Sequence, residues 1–304
     1  MQRAKHRSGF TLIELAIVLT IIGLIVGGVL VGQSLLGAAA VRAQISQIEK
    51  YQTAVNTFKW KYGYLPGDIR DPDARNFGLQ HRGSNTGEGD GNGILQGVDG
   101  ICLPTGVTQN AGETVMFWSD LTYANGMNLN LIEGSFASAT TASPANTGIP
   151  TSALANYFPA AKIGQNNFVY VYSGYFCCSG GGWHSNGVNY FGLSALTSIG
   201  YGGCNETYSN LGLTVQQASL IDQKVDDGLP QSGHVLAEYV NSTAANSVKW
   251  AGTTGSTQYP YTTATPGTAT TCFDNSNVAG AIQQYSLEIS GGSNMNCALS
   301  FQFQ

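Results

Sequence analysis

The fold is decided by residues 9–36, which read GFTLIELAIVLTIIGLIVGGVLVGQSLL. Residues 15–32 carry no charge, and this is about the length that a helix needs to span a bilayer. The stretch is preceded by three basic residues, Arg3, Lys5 and Arg7, and no basic residue follows it closely. The positive-inside rule therefore places the N-terminus in the cytoplasm and predicts that most of the chain is exported.

A cleaved secretory signal peptide is the alternative interpretation of this stretch, because three alanines at 38–40 resemble a cleavage site. Two features argue against it. The apolar segment is longer than the apolar region of a signal peptide, and Glu14 lies inside it. A charge at the centre of a membrane helix costs about 2.5–3.5 kcal/mol and is functional by default. The pattern therefore predicts a helix that is retained.

The string Gly9-Phe10-Thr11-Leu12-Ile13-Glu14 resembles the class III signal of type IV prepilins and type II secretion pseudopilins. The resemblance covers about the first 55 residues. It implies that a prepilin peptidase cuts between Gly9 and Phe10 on the cytoplasmic side and methylates the new amino group of Phe10. It also implies that Glu14 forms an ion pair with the amine of a neighbouring Phe10 in a filament. In low dielectric either charge would be costly alone, so the pair favours one axial register.

The helix is predicted to continue beyond the membrane. An apolar face recurs at three- and four-residue steps: Val41, Ile45, Ile48, Val55, Phe58 and Tyr62. We expect one helix over 10–62, about 80 Å long, with 10–36 forming the membrane segment and filament core. Residues 1–9 are the leader in this scheme, and residues 63–304 form an extracytoplasmic domain.

The fold class expected for the whole chain is α+β, the pilin fold, with the long helix packed on an antiparallel sheet. Patterning predicts two short helices over 113–124 and 213–228. It predicts strands over 168–176, near Tyr190, and over 234–240, 285–289 and 297–303. Long loops join these elements.

The six cysteines show neither CxxC spacing nor a histidine at zinc-ligand distance, so disulfides are expected in an exported chain. Six cysteines allow 15 pairings. Cys272 with Cys297 is the pair we predict, because it closes the last loop of the chain. The partners of the other four are left open: Cys102, Cys177, Cys178 and Cys204.

One segment has the spacing of a calcium loop. Oxygen ligands fall at alternate positions from Glu88, with a glycine at the sixth and an acid at the twelfth. The predicted ligands are Glu88, Asp90, Asn92, the Ile94 carbonyl and Asp99. This is the EF-hand pattern except that Glu replaces the usual first Asp, and Asp the final Glu. The alternative is a solvated Gly/Asp turn.

Composition narrows the function classes. Charged residues are only 10% of the chain, the net charge is −5, and no basic cluster follows the first seven residues, so nucleic acid is not expected as a partner. Four histidines and the absence of GxSxG, HExxH or P-loop strings argue against an enzyme tethered by one helix.

The prediction is a structural subunit, anchored in the inner membrane before assembly and in a periplasmic or cell-surface filament afterwards. Its expected partners are copies of itself, other pilins, the membrane and prepilin peptidase. The alternatives are a type II secretion pseudopilin and a minor or tip pilin that acts as an adhesin. Aromatics in Gly-rich loops, Trp183, Tyr190 and Tyr201, would serve the adhesin but are equally compatible with a core.

Overall fold

The structure, a computed structural model, describes residues 11–83, 87–97, 112–124, 127–137, 148–173, 187–200, 207–241, 248–251 and 262–304. Several predictions fall on residues outside these ranges: Gly9, Phe10, Asp99, Cys102, Cys177, Cys178, Trp183, Tyr201 and Cys204.

The predicted long helix is confirmed as α1, Leu12–Tyr62, a single helix of 51 residues. At 1.5 Å per residue it is about 76 Å long. It ends at Gly63, whose φ of 78° lies in the left-handed region that glycine adopts without strain. Lys59 and Lys61 lie in the last turn, where they complement the negative end of the helix dipole.

The second half of α1 packs against the folded domain through the predicted apolar face. Five of its six predicted members are buried and Ile45 is partly buried. The prediction missed two buried glutamines on the same face. Gln47 Nε2 donates to the Ala160 carbonyl at 2.9 Å, and Gln44 Oε1 accepts from the backbone of Ile163 at 3.1 Å. These bonds fix the helix to the domain at one height.

Three more α-helices are described: α2 Asp73–Asn76, α3 Glu113–Thr122 and α4 Val215–Val225. Single-turn 3₁₀ segments occupy Thr151–Asn156 and Ser290–Gly292. The strands are β1 Tyr123–Ala124, β2 Met127–Asn128, β3 Phe168–Ser173, β4 Asn189–Ile199, β5 Thr207–Asn210, β6 Val235–Leu236, β7 Glu238–Val240, β8 Val248–Trp250, β9 Phe273–Asp274, β10 Gln284–Tyr285 and β11 Leu299–Gln302.

The main sheet is antiparallel, with the order β3-β4-β11-β6, and β5 pairs with the second half of β4. Three two-stranded ribbons accompany it: β1 with β2, β7 with β8, and β9 with β10. The register places Gly192 opposite Tyr170. A Cβ at Gly192 would come 2.3 Å from the Tyr170 ring, so this strand position requires glycine. The α+β class is confirmed.

Aromatic side chains fill the space between α1, α3 and the sheet. Trp118 of α3 is fully buried, and its ring centre lies 5.0 Å from that of Tyr51 on α1, edge to face. Phe117 contacts Phe191 of β4 in the same way, with centres 6.1 Å apart. Tyr190 is also buried, which places it in the core rather than in an exposed binding loop.

Some predicted boundaries are wrong. The stretch 234–240 is two strands in different sheets, because the Ala237 backbone leaves the ladder to pair with Pro230 and Ala251. Residues 286–289 form turns instead of a strand, as the bond from Leu287 N–H to the Tyr285 carbonyl shows. All ten residues of α3 are buried, whereas only one inward face was expected, and residues 123–124 leave the helix for β1.

The predicted disulfide between Cys272 and Cys297 is confirmed, with Cα atoms 5.0 Å apart. Both residues are fully buried. The backbone of Cys297 also bridges to Leu213 just before α4, so the bond ties the last loop of the chain to this helix.

Candidate functional site

The first half of α1 exposes its apolar side chains on every side of the helix. Leu24 is 79% exposed and Leu36 is 72% exposed. By length and composition this is the one helix of the described residues that could cross a membrane, and none of its most apolar window is buried in the chain. Nothing lies within 4 Å of a Cβ built at Gly23, Gly27 or Gly28. So large an apolar surface requires lipid or other helices around it.

Glu14 caps the N-terminus of this helix. Its Oε2 accepts from the Thr11 backbone N–H at 2.8 Å and from the Thr11 hydroxyl at 2.8 Å, while the Glu14 N–H donates to Thr11 Oγ1 at 3.3 Å. This reciprocal capping box satisfies two of the free N–H groups of the first turn. In a single chain, Glu14 therefore has a partner two residues beyond the predicted cleavage junction.

A second constellation lies in the folded domain. Asp68, Asp90 and Glu113 each direct a carboxylate oxygen to a common point, with these atoms all within 4.8 Å of one another. Asp68 and Glu113 are buried. Burial raises the pKa of Asp68 to about 7 and that of Glu113 well above its usual range, and the mutual repulsion of the carboxylates adds to both shifts. Such a group either holds a proton or has room for a cation.

The Gly-rich loop supplies backbone N–H groups to these carboxylates. Gly91 and Gly93 donate to the two oxygens of Asp68 at 2.8 and 2.7 Å. Gly89 donates to Glu113 Oε1 at 3.0 Å. All three glycines have positive φ, between 72° and 96°. This conformation turns successive N–H groups inward, which is the geometry of a backbone anion nest.

The predicted calcium ligands are only partly brought together. Asp90 belongs to the carboxylate group, whereas Glu88 is buried against Gly83 and Asn92 Oδ1 accepts from the Ile94 N–H at 2.7 Å. The sequence argument missed Asp68 and Glu113, which lie about 20 residues to either side of the loop. The signal that could have found them is the run of alternate glycines, which provides donors that need acidic partners.

A third acidic group closes α4. Asp222, Asp226 and Asp227 again place oxygens within 4.8 Å of one another. Asp222 is buried and accepts from the Tyr285 hydroxyl at 2.8 Å; burial raises its pKa to about 7. Asp226 accepts from the Val235 N–H at 2.9 Å, so it holds the following turn. Only Asp227 of the three is fully exposed.

The comparisons with known proteins bear on the N-terminus. The model of the prokaryotic N-terminal methylation motif matches residues 4–30. No curated protein matches the chain. No solved structure matches it either. The matched segment contains the predicted junction and the first 19 residues of α1. The chain therefore carries the N-terminal methylation signal of the type IV pilin and pseudopilin family.

Proposed function

We propose that this protein is a structural subunit of a type IV pilus or pilus-like filament. Prepilin peptidase removes residues 1–9 on the cytoplasmic face of the inner membrane, and the subunit then polymerises through the first half of α1. The main support is the continuity of α1, whose exposed apolar half runs without a break into a half that is docked on the domain. A rigid rod of this kind transmits helix packing in a filament core directly to the domains outside it.

Glu14 is the assembly residue in this proposal. As a subunit enters the filament, the methylated amine of Phe10 on one copy approaches the Glu14 carboxylate of its neighbour. Thr11 holds that carboxylate at the helix start, so it is already oriented and hydrogen-bonded before the amine arrives. Pairing two charges in an apolar core is favourable only when both find their partner, which selects a single axial offset between neighbouring helices.

The same signal and helix would serve a type II secretion pseudopilin or a minor, tip-located pilin. The size of the folded part, residues 63–304, favours a role beyond simple packing. The buried Tyr190 removes one of the three aromatics that the adhesin interpretation relied on. We therefore rank the filament subunit first and the tip adhesin below it.

The direct test of this proposal is to shear surface filaments from the native cells and probe them for this chain. A filament subunit should be present in the sheared fraction, and should leave it when prepilin peptidase is inactivated. A chain that stays wholly in the membrane fraction of wild-type cells would contradict assembly. A chain found in a periplasmic pseudopilus instead would assign it to type II secretion.

We also propose that the loop from Glu88 binds calcium, with Asp90 as a ligand and with Asp68 and Glu113 completing the set. The support is the alternation of oxygen ligands in the sequence, together with the three carboxylates gathered within 4.8 Å. A divalent cation would neutralise the repulsion that burial makes costly there. The physical alternative is that the buried carboxylates stay protonated.

Calcium should therefore raise the melting temperature of the detergent-solubilised chain relative to EDTA. At ten times Kd the gain is about 1.4 kcal/mol, or about 3–6 °C for a domain of this size. Magnesium should do much less, because it demands a tighter shell. Asp90→Asn keeps the shape of the side chain and should abolish the shift, while the matched Asp227→Asn should retain it. Identical melting with calcium and EDTA would show that the loop is only a turn.

A further inference from the structure

Trp60 is the most exposed large apolar side chain of the described residues, at 94%. It lies on the face of α1 that points away from the domain, since Phe58 and Tyr62 on either side are buried. Lys59 and Lys61 flank it and are exposed, and within the described ranges neither forms an ion pair with a carboxylate. The folded chain thus presents an indole between two cations and leaves all three in water.

The membrane does not account for this exposure. Leu36 ends the apolar half of α1, and Trp60 follows it by 24 residues. That separation is about 36 Å along the helix, well beyond the headgroup layer in which membrane-anchoring tryptophans lie. Tryptophan is enriched at the centres of protein interfaces, where burying the indole contributes much of the binding free energy.

The same chain carries a surface of complementary character after α4. Val225 is 42% exposed and is followed directly by Asp226 and Asp227. Among the described residues neither aspartate forms an ion pair, and both lie at the negative end of the α4 dipole. Lys224 precedes them and leaves the surface with a net negative charge. One surface is therefore an apolar residue with two bases, and the other an apolar residue with two acids.

We propose that the Lys59-Trp60-Lys61 surface of one copy docks on the Val225–Asp227 surface of a second copy in the filament. This inference rests on the proposed function, because packing of the apolar halves of α1 is what sets neighbouring domains side by side. A contact between two unlike surfaces is heterologous, so it repeats in one direction and builds an open helical array instead of a closed dimer. Trp60 packs on Val225, and the lysines face the aspartates.

The test follows the full-length chain in native cells through the filament fraction. Trp60→Ala should lower the amount of chain in sheared filaments about tenfold or more, with processing and membrane level unchanged. Ile282→Ala is the matched control, because this side chain is 69% exposed elsewhere in the domain and should have no effect. A photo-crosslinking amino acid at position 60 should give an adduct whose mapped partner peptide contains residues 225–227.

A charge exchange separates the contact from a defect in folding. Lys59→Glu with Lys61→Glu should reduce incorporation, Asp227→Lys should reduce it too, and the three changes together should restore most of it. Asp226 is left unchanged because it holds the turn through Val235. Wild-type incorporation of Trp60→Ala, no restoration by the combined variant, or an adduct with another protein would each overturn the contact while leaving the filament proposal intact. Absence of the wild-type chain from filaments would overturn the filament proposal itself.

Discussion

Replacing Glu14 by Ala should leave cleavage and membrane insertion intact but remove nearly all of the chain from filaments. The incoming amine would lose its buried partner, and breaking one half of a buried ion pair costs about 3–5 kcal/mol. Because every subunit in a filament makes the contact, a loss of this size is enough to block growth. A quantitative blot of sheared filaments against the membrane fraction measures the effect.

Glu14 has a second role in the structure, and Glu14→Gln separates the two. Glutamine is equally able to reach back to the Thr11 N–H and preserve the capping box, but it carries no charge. If the ion pair drives assembly, Glu14→Gln should fail as completely as Glu14→Ala. Normal incorporation of Glu14→Gln alongside failure of Glu14→Ala would assign the residue to capping and contradict the ion pair.

Replacing Phe58 by Ala should have the largest effect on the stability of the domain. The ring is fully buried, and its centre lies 4.6 Å from that of Tyr62 on the same face of α1. Truncating a buried phenylalanine costs about 3–5 kcal/mol, because it removes apolar burial and leaves a cavity. For a domain of this size that corresponds to about 6–20 °C in melting temperature.

Trp60→Ala is the matched control for this stability measurement, since it removes an even larger side chain two residues further along α1. Its indole is almost wholly in water, so the change in the free energy of unfolding should stay within about 0.5 kcal/mol. Thermal unfolding of the detergent-solubilised chain, followed by near-ultraviolet circular dichroism, compares both variants with the wild type. Equal shifts for the two would mean that Phe58 does not dock α1 on the domain.

Sequence reasoning succeeded where the determining interaction is local. The periodicity of α1 placed its buried face, and the Thr214–Gln217 capping box at the start of α4 is confirmed with both of its bonds. Both signals involve residues three or four positions apart, which any sequence displays directly. The disulfide between Cys272 and Cys297 was predictable for a related reason, since the pair closes the last loop.

Sequence reasoning failed where distant segments meet. The break at Ala237 arises from its pairing with Pro230 and Ala251, and nothing in the alternation of 234–240 marks it. The carboxylate group is a similar case, because Asp68 and Glu113 come from outside the loop whose spacing was recognised. The glycines that orient that loop were visible, but their acidic partners depend on how α3 packs against the turn at Gly67. That packing is a property of the whole core.

The mass of the mature N-terminal peptide tests the central claim most directly. The protein should be purified from native membranes or filaments, digested, and its first peptide identified by mass spectrometry. The account predicts that nine residues are missing and that the chain begins at Phe10 with one methyl group on its amine. A chain that begins near residue 40 would show ordinary signal-peptide cleavage with loss of the apolar half of α1, and would contradict the account.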